Sequence, residues 1–451
     1  MECLSHDLPE TAISLPVAAT TRMAGPTPPR HTTRRFRSRS ATRMRMTPDA
    51  LHASAGKPGG SENDGRRAPI PLSRIFLAFL RLGMTSFGGP TMVAYIKELA
   101  VTRHGWLDQR SFRNGVALCQ TIPGATAMQM AAYVGMRLRG LGGGLAAYVG
   151  FGLPAFALML GLSALYQHTH TSPIAGSLFH GLRAIVVAIM ANATLNFGRS
   201  SLRQGRDAML AGLAAAALAV HVSPILVVIL AAVLAGCFLP VELRSSEQQE
   251  AAPYGRGGSI RNLLWPVVVI GLALAALWLV DRQLFQLAAT MLRIDLFAFG
   301  GGFASVPLMQ HEFVSARHWM DARTFMDGIA LGQVTPGPIV ITATFAGFML
   351  RGVVGALVGT ISVFTPSLVI LALALPVFDR LQVSRYFQGA TRGALLAFVG
   401  MLLWVTASFG LALTWSIPAA VLSIAALTAL RLKVDILWVV AVGAVLSVLF
   451  L

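Results

Sequence analysis

Two stretches of this chain are copies of each other: residues 81–90 read RLGMTSFGGP, and residues 293–302 read RIDLFAFGGG. A second pair follows, QTIPG at 120–124 and QVTPG at 333–337. The offset between copies is 212 residues for the first pair and 213 for the second, which one inserted residue explains. Matching Gly, Pro and Arg positions at a nearly constant offset indicate a duplicated unit.

Further identities extend the duplication over most of the chain. They are Trp106, Asp108, Phe112 and Gly115 with Trp319, Asp321, Phe325 and Gly328, and Arg139, Gly140 and Pro154 with Arg351, Gly352 and Pro366. A polar interval at 242–262 separates the two copies. We therefore expect a tail at residues 1–69, a first repeat at 70–240, a polar linker with a connector helix at 241–282, and a second repeat at 283–451.

The composition places both repeats in a lipid bilayer. Hydrophobic residues make up 55% of the 451 residues and charged residues only 12%, whereas about a quarter of the residues in a soluble domain are charged. Apolar segments of about 20 residues, the length that crosses a bilayer, follow one another from residue 72 onward. The sequence predicts an all-α polytopic membrane protein of two homologous six-segment repeats, with about 12–13 transmembrane helices.

Residues 1–69 have a different composition, rich in Arg, Ser, Thr, Pro and Gly and without an apolar run that could span a membrane. This composition predicts a disordered basic tail. The Arg-rich stretch 34–45 is also compatible with a transit peptide, and Met46 with an internal start. The net charge of +17 falls in this tail and in the loops between apolar segments, so we predict no nucleic-acid partner.

The distribution of Lys and Arg indicates how the two copies are oriented. With the tail in the cytoplasm and every segment spanning, basic residues concentrate in the inner loops. The segment near 263–280 then inverts the second copy, which places Arg139 inside and Arg351 outside. Inverted repeats are typical of secondary transporters. The segment 207–240, which His221 and Pro224 interrupt, is either two short helices or one broken helix.

The copied Gly and Pro stretches predict broken helices, because Gly weakens a helix and Pro removes an N–H donor. A helix that restarts inside the membrane presents free N–H groups that can bind an anion, while close helix packing through glycine is the alternative. The candidate substrate-binding residues are Arg81, Ser86, Gly88, Gly89, Gln120, Pro123 and Gly124 in the first copy, and Arg293, Gly300, Gly301, Gln333, Thr335, Pro336 and Gly337 in the second.

Arg81 and Arg293 are charges within apolar segments, where a charged side chain costs at least about 2.5 kcal/mol. Each needs a partner, or else extends to the membrane interface. Asp295 lies two residues after Arg293 and is the expected partner, whereas Gly83 occupies the equivalent position after Arg81. We therefore expect Arg81 to be available for a divalent anion. Arg183 and Arg392 are interpreted as interfacial anchors.

Other chemistries find little support in the sequence. It contains no phosphate-binding Gly-Lys-Ser/Thr loop, no His-Glu-x-x-His and no Cys-x-x-Cys, so we predict no cofactor and no metal site. Proton coupling and a solvated loop position are both open for Glu98, His311 and Glu312. A membrane-embedded enzyme or scaffold is the less favoured alternative, because the apolar segments hold no cluster of His, Asp or Cys.

At these motifs the chain resembles a known family. The stretch 87–90, the sequence GWLD at 105–108, QTIPG at 120–124 and the second copy's 299–302 and 336–338 resemble the chromate ion transporter family in its long two-domain form. The resemblance covers residues 72–451 and departs from the family pattern at Ala125, where many first copies have Pro.

The resemblance implies a secondary carrier of the cell inner membrane that exports chromate and confers chromate resistance, with sulfate as the natural analogue. An importer or exchanger of sulfate or another oxyanion is the alternative, and a homodimer is left open. Moving a dianion out through an inside-negative potential of about 100 mV releases about 4.6 kcal/mol, which sustains a gradient of about a thousandfold. An importer would need cotransported cations, and the sequence shows no clear site for them.

Overall fold

The protein is described by a computed structural model over residues 70–87, 91–169, 172–238, 261–378 and 384–451. The predicted tail at 1–69 and the candidate residues Gly88 and Gly89 lie outside these ranges. All regular secondary structure in the described residues is helical. This confirms the predicted all-α class.

Fifteen α-helices, α1 to α15, follow one another along the described residues. The first seven are α1 (Leu72–Thr85), α2 (Thr91–Lys97), α3 (Gln109–Thr121), α4 (Thr126–Thr169), α5 (Pro173–Ser201), α6 (Gly205–Ala219) and α7 (Pro224–Phe238). The connector is α8 (Arg261–Val280), and the rest are α9 (Arg282–Leu296), α10 (Ser305–Gln310), α11 (Ala322–Val334), α12 (Thr342–Ala374), α13 (Arg385–Ala412), α14 (Ile417–Arg431) and α15 (Ile436–Phe450). Short π-helical turns, Glu98–Arg103 and His311–Ala316, extend α2 and α10.

Four of these helices are long and apolar enough to cross a membrane: α4, α5, α13, and α12 with the turn before it, Ile339–Ala374. Shorter apolar helices lie at Pro224–Cys237, Pro266–Val280, Ile417–Arg431 and Ile436–Phe450. Large apolar side chains such as Leu272, Leu411 and Ile417 are exposed on the outside of this bundle. An exposed apolar surface is stable in lipid and not in water, so these features confirm a multi-pass membrane protein.

The two copies share unusual backbone conformations at equivalent positions. Positive φ angles are rare outside glycine, yet they occur in matched pairs at offsets of 212 or 213 residues. The pairs are Gly105 (56°) with His318 (52°), Gly124 (113°) with Gly337 (115°), Gly140 (59°) with Gly352 (58°), and His221 (62°) with Lys433 (65°). The duplication predicted from the sequence is therefore confirmed in the backbone.

The described part of the segment 207–240, up to residue 238, consists of two short helices, α6 and α7, and the turn between them contains His221. The equivalent turn, which contains Lys433, joins α14 to α15. Each of these four helices has 15 residues. A helix of this length extends about 22 Å, less than the bilayer core of about 30 Å.

Helices α4 and α12 reverse direction at the same place. Arg139 and Gly140 leave the helical region of φ and ψ, and so do Arg351 and Gly352 with nearly identical angles. The two arms of α4 then pack backbone to backbone, since a Cβ on Gly135 would lie 2.1 Å from the carbonyl oxygen of Gly143. The matching contact in α12 joins Gly347 to Gly355. Only glycine allows such close approach.

The repeats are intertwined. Helix α5 of the first repeat packs against α14 and α15 of the second, and α13 of the second packs against α6 and α7 of the first. Where α5 crosses α13, Thr194 contacts Thr406 and Phe197 contacts Phe398. From Thr194 to Phe197 the residue number on α5 rises, whereas that of the contacted residue on α13 falls from 406 to 398. These equivalent helices are therefore antiparallel. Because both are long enough to span a membrane, the second repeat is inverted, as predicted.

Candidate functional site

The predicted breaks of the two repeats lie against each other. The N–H of Gly124 donates a hydrogen bond to the carbonyl of Ala298 at 2.9 Å, and the N–H of Gly337 donates one to the carbonyl of Ser86 at 3.0 Å. Gly124 is equivalent to Gly337, and Ser86 to Ala298, so the two bonds form a symmetric pair. The Pro-Gly break of each repeat is thereby held against the backbone that directly follows α1 or α9 of the other repeat.

The Gly-rich break of the second repeat needs its glycines. Gly300 and Gly301 have φ angles of 107° and 88°, which other L residues rarely adopt. A Cβ on Gly300 would lie 2.6 Å from the ring of Phe398, and one on Gly301 would lie 3.3 Å from the hydroxyl of Thr126 in the first repeat. Gly300 therefore packs directly against the ring of Phe398, and Gly301 lies next to Thr126 at the start of α4.

Helix starts lie next to both Pro-Gly breaks. Helix α4 begins at Thr126, two residues after Gly124. In the second repeat the 3₁₀ turn Ile339–Ile341 follows Pro338 and leads into α12, and no side chain caps the N–H groups at either start in this stretch. The first N–H groups of a helix lack partners within it, and the helix dipole makes this end attractive to anions.

Three buried polar atoms at the breaks have no hydrogen-bond partner among the described residues: the Ser86 hydroxyl, Nε2 of Gln333 and Oε1 of Gln129. The Gln129 side chain also donates from Nε2 to the carbonyl of Pro123. Buried polar groups are nearly always paired, so unpaired ones indicate a ligand or water. Ser86 and Gln333 offer donors, which is what an oxyanion requires.

The remaining predicted site residues differ in their surroundings. Pro123, Gly124, Pro336 and Gly337 are buried in the breaks. The hydroxyl of Thr335 is used internally, because it donates to the carbonyl of Gly332 at 3.0 Å. Gln120 is exposed at the end of α3.

The predicted pairing of Arg293 with Asp295 is wrong. Side chains two residues apart on a helix point in different directions, and Arg293 instead binds Glu312, which also accepts from Nε of Arg317 at 3.2 Å. In the first repeat the position of Glu312 is taken by Leu99, and Arg81 is exposed with no ion pair to any residue that the structure describes. The asymmetry between Arg81 and Arg293 therefore exists, but it comes from Glu312.

Two buried ion pairs join the repeats, and the sequence did not indicate them. Arg183 of α5 forms a two-point contact at 2.7 Å with Asp327 of α11, which also accepts from the Tyr166 hydroxyl at 2.8 Å. Arg392 of α13 contacts Asp207 of α6 at 2.9 Å. Both carboxylates are fully buried, and both arginines are partly exposed. Each arginine therefore pairs with an acid of the other repeat, and its interpretation as an interfacial anchor stays a prediction. The partners are 144 and 185 residues apart, and no local pattern connects them.

Residues 73–237 and 285–448 match the model of the chromate transporter family, and the two matched regions fall on the two repeats. The chain belongs to the chromate transporter family. An uncharacterised transporter of Methanocaldococcus jannaschii is 42% identical over 386 residues, which is 86% of this chain and 96% of the relative. No solved structure matches the chain.

Other relatives of this chain are named for the substrate chromate. The chromate transport protein of Pseudomonas aeruginosa is 30% identical over 70% of this chain and 74% of its own length. The chromate transport protein of Cupriavidus metallidurans is 29% identical over 73% of this chain and 81% of its own length.

Proposed function

We propose that this member of the chromate transporter family is a secondary carrier, not an enzyme, that exports chromate from the cytoplasm across the inner membrane and so confers chromate resistance. The named relatives support chromate as the substrate. The observation that carries the proposal is the symmetric pair of hydrogen bonds from Gly124 and Gly337. These bonds bring four broken helices, two from each repeat, to one place.

Chromate is a tetrahedral dianion whose four oxygens accept hydrogen bonds. The proposed site supplies donors without fixed positive charge: the Ser86 hydroxyl, Nε2 of Gln333 and the N–H groups at the starts of α4 and α12. Charge-assisted hydrogen bonds are about twice as strong as neutral ones, so a few such donors can compensate for part of the lost hydration. Arg81, which has no ion pair in the described chain, attracts the anion toward this site.

The proposed substrate site and the proposed domains include equivalent parts of both repeats. We assign the proposed substrate site to Arg81, Ser86, Gly88, Gly89, Gln120, Pro123, Gly124, Arg293, Gly300, Gly301, Gln333, Thr335, Pro336 and Gly337. Within this set Arg293, Gly300 and Thr335 lie against Glu312, Phe398 and Gly332, so we assign them to shaping the site and not to direct contact with the anion. The proposed domains are the tail at 1–69, the repeats at 70–240 and 283–451, and the linker with its connector at 241–282. Sulfate, which shares the shape and charge of chromate, is proposed as a second substrate.

Flux measurements in inside-out membrane vesicles test the proposal, because export then appears as uptake. Chromate and sulfate uptake are measured with the voltage and the pH gradient set separately. We expect chromate uptake to increase with an interior-positive potential and to decrease about 10-fold or more in the double variant Ser86→Ala, Gln333→Leu, for the loss of two donors. Thr428→Val, which changes an exposed hydroxyl on α14, is the control. Normal insertion without chromate uptake would contradict the proposal.

Import of an oxyanion is a second candidate, and one feature favours it. An importer works against the inside-negative potential and needs a cotransported cation. Asp295 is a fully buried carboxylate that has no ion pair among the described residues. The same flux experiment separates the two directions, because an importer would deplete vesicles loaded with sulfate when a proton gradient is imposed.

A further inference from the structure

Only one of the two carboxyl oxygens of Asp295, on α9, accepts hydrogen bonds from the described residues. Its Oδ2 accepts hydrogen bonds from the N–H of Ser367, at 2.7 Å, and from the hydroxyl of the same residue. Its Oδ1 is buried and has no hydrogen-bond partner among the described residues. The carboxyl group as a whole is 0% exposed.

No positive side chain in the described chain neutralises Asp295. Arg293, the nearest arginine in sequence, is bound to Glu312. The titratable side chain that faces Asp295 from α4 is Tyr148, and from α12 Ser367 contributes only a hydroxyl and an N–H. The Tyr148 hydroxyl donates to the carbonyl of Phe364 at 2.7 Å. An ionised carboxylate without a cation in an apolar interior is very costly, so Asp295 requires a bound cation.

The position of Asp295 connects it to the proposed anion site. The Ser367 hydroxyl that bonds Asp295 lies against the Pro-Gly break, since a Cβ on Gly124 would be 1.9 Å from that oxygen. Nε2 of Gln129 lies beside the same glycine, at 2.9 Å from such a Cβ. One hydrogen-bonded residue therefore separates the Asp295 carboxyl from the backbone at which we place the anion.

The first repeat shows that this carboxylate is not needed to pack the helices. Gly83 is equivalent to Asp295, and Ala155 to Ser367. A Cβ on Gly83 would lie 2.4 Å from the carbonyl of Phe151, so the first repeat closes the same contact between helices through direct backbone packing. The second repeat has instead placed an acid and a hydroxyl in this contact. A structural role alone does not explain the acid.

We propose that Asp295 is a proton-binding site, with the proton on Oδ1, and that proton and oxyanion binding are positively linked. The inference rests on the proposed carrier function and concerns which ions cross together, so it holds for either direction of oxyanion transport. An ionised Asp295 repels a dianion at the neighbouring break, and a neutral one does not. Linkage is reciprocal, so a bound anion also favours the bound proton. The proton and the dianion then cross the membrane in the same direction. Each transport event moves one net negative charge.

Purified protein in liposomes tests this coupling. The voltage is held at zero with potassium and valinomycin, a chromate gradient is imposed in weakly alkaline buffer in which chromate is fully ionised, and a trapped dye reports the internal pH. We expect wild-type protein to move about one proton with each chromate, as one added site requires. Asp295→Asn should move chromate down its gradient without protons. Thr290→Val, which removes a buried hydroxyl on the same helix, should keep the proton movement.

The outcomes separate the inference from the proposed function. Chromate flux without proton movement in wild-type protein overturns the inference and leaves the carrier function intact, and so does proton movement that persists in Asp295→Asn. Inserted wild-type protein without chromate flux overturns both. If Asp295→Asn does not insert, Ser367→Ala tests the same site, because it keeps the carboxyl and removes one donor that favours the charged form. Its flux should reach half-maximum at a higher pH, and an unchanged pH profile overturns the inference.

Discussion

Thr194 and Thr406 occupy equivalent positions in the two repeats, and their hydroxyl groups are hydrogen-bonded to each other at 3.0 Å. Two equivalent residues can meet only close to the axis that relates the repeats. The axis therefore passes through the crossing of α5 and α13. Most of the other contacts of these two helices are with the opposite repeat, so the central pair holds the two halves together.

Inversion predicts that equivalent residues lie on opposite sides of the membrane. His221 and Lys433 are exposed and lie in equivalent turns. In a cysteine-free background, His221→Cys should react with an impermeant maleimide from the periplasm, and Lys433→Cys only from the cytoplasm. The parent without Cys3, Cys119 and Cys237 controls for background labelling. Reaction of both positions from one side would contradict the inverted arrangement.

Arg81 and Arg293 should differ in what their loss affects. Arg293→Gln leaves Glu312, which is 7% exposed, with Arg317 as its remaining partner, and should lower the free energy of unfolding by about 1–3 kcal/mol. Arg81→Lys keeps the charge but loses the planar group that binds two oxygens, so chromate flux should fall while unfolding is unchanged. Flux per inserted molecule and unfolding of the detergent-solubilised protein measure the two effects. Wild-type flux in Arg81→Gln would remove Arg81 from the site.

The ion pair between Arg183 and Asp327 should be a major contributor to the association of the repeats. Asp327→Asn leaves the partly buried guanidinium of Arg183 without its counterion, and loss of one partner of a buried pair costs about 3–5 kcal/mol. We expect a large fall in the yield and thermal stability of the purified protein. Asp108→Asn is the matched control, because Asp108 is an exposed cap of α3 and Asn caps a helix equally well. Equal stability of the two variants would show that the pair contributes little.

The reversals in α4 and α12 should not tolerate a side chain at their closest point. Gly135→Ala and Gly347→Ala each place a Cβ within 2.1 or 2.2 Å of a carbonyl oxygen on the facing arm, so each should separate the arms and reduce the amount of folded protein severely. Gly161→Ala, in α4 with nothing within 4 Å, should be neutral or slightly stabilising. Size-exclusion profiles of the three variants provide the comparison. Wild-type profiles for Gly135→Ala would show that the arms are further apart.

The sequence by itself determined the duplication, the all-α membrane class and the positions of the breaks. These features depend on local causes. An apolar run of sufficient length needs lipid, and glycine and proline change the backbone at their own positions. This is why Gly124 and Gly337 adopt the same positive φ angle, and why α3 and α11 both end just before a Pro-Gly step.

Only the tertiary structure decided which side chains meet. Sequence proximity suggested that Arg293 binds Asp295, but helix geometry directs Arg293 to Glu312 and Asp295 to Ser367, 72 residues away. Arg183 and Asp327 belong to different repeats, and the intertwining of those repeats brings them together. Such contacts depend on where two helices cross, and the spacing of residues in the sequence does not predict where that happens. The buried acid at Asp295 therefore became a candidate coupling site only when its neighbours in space were known.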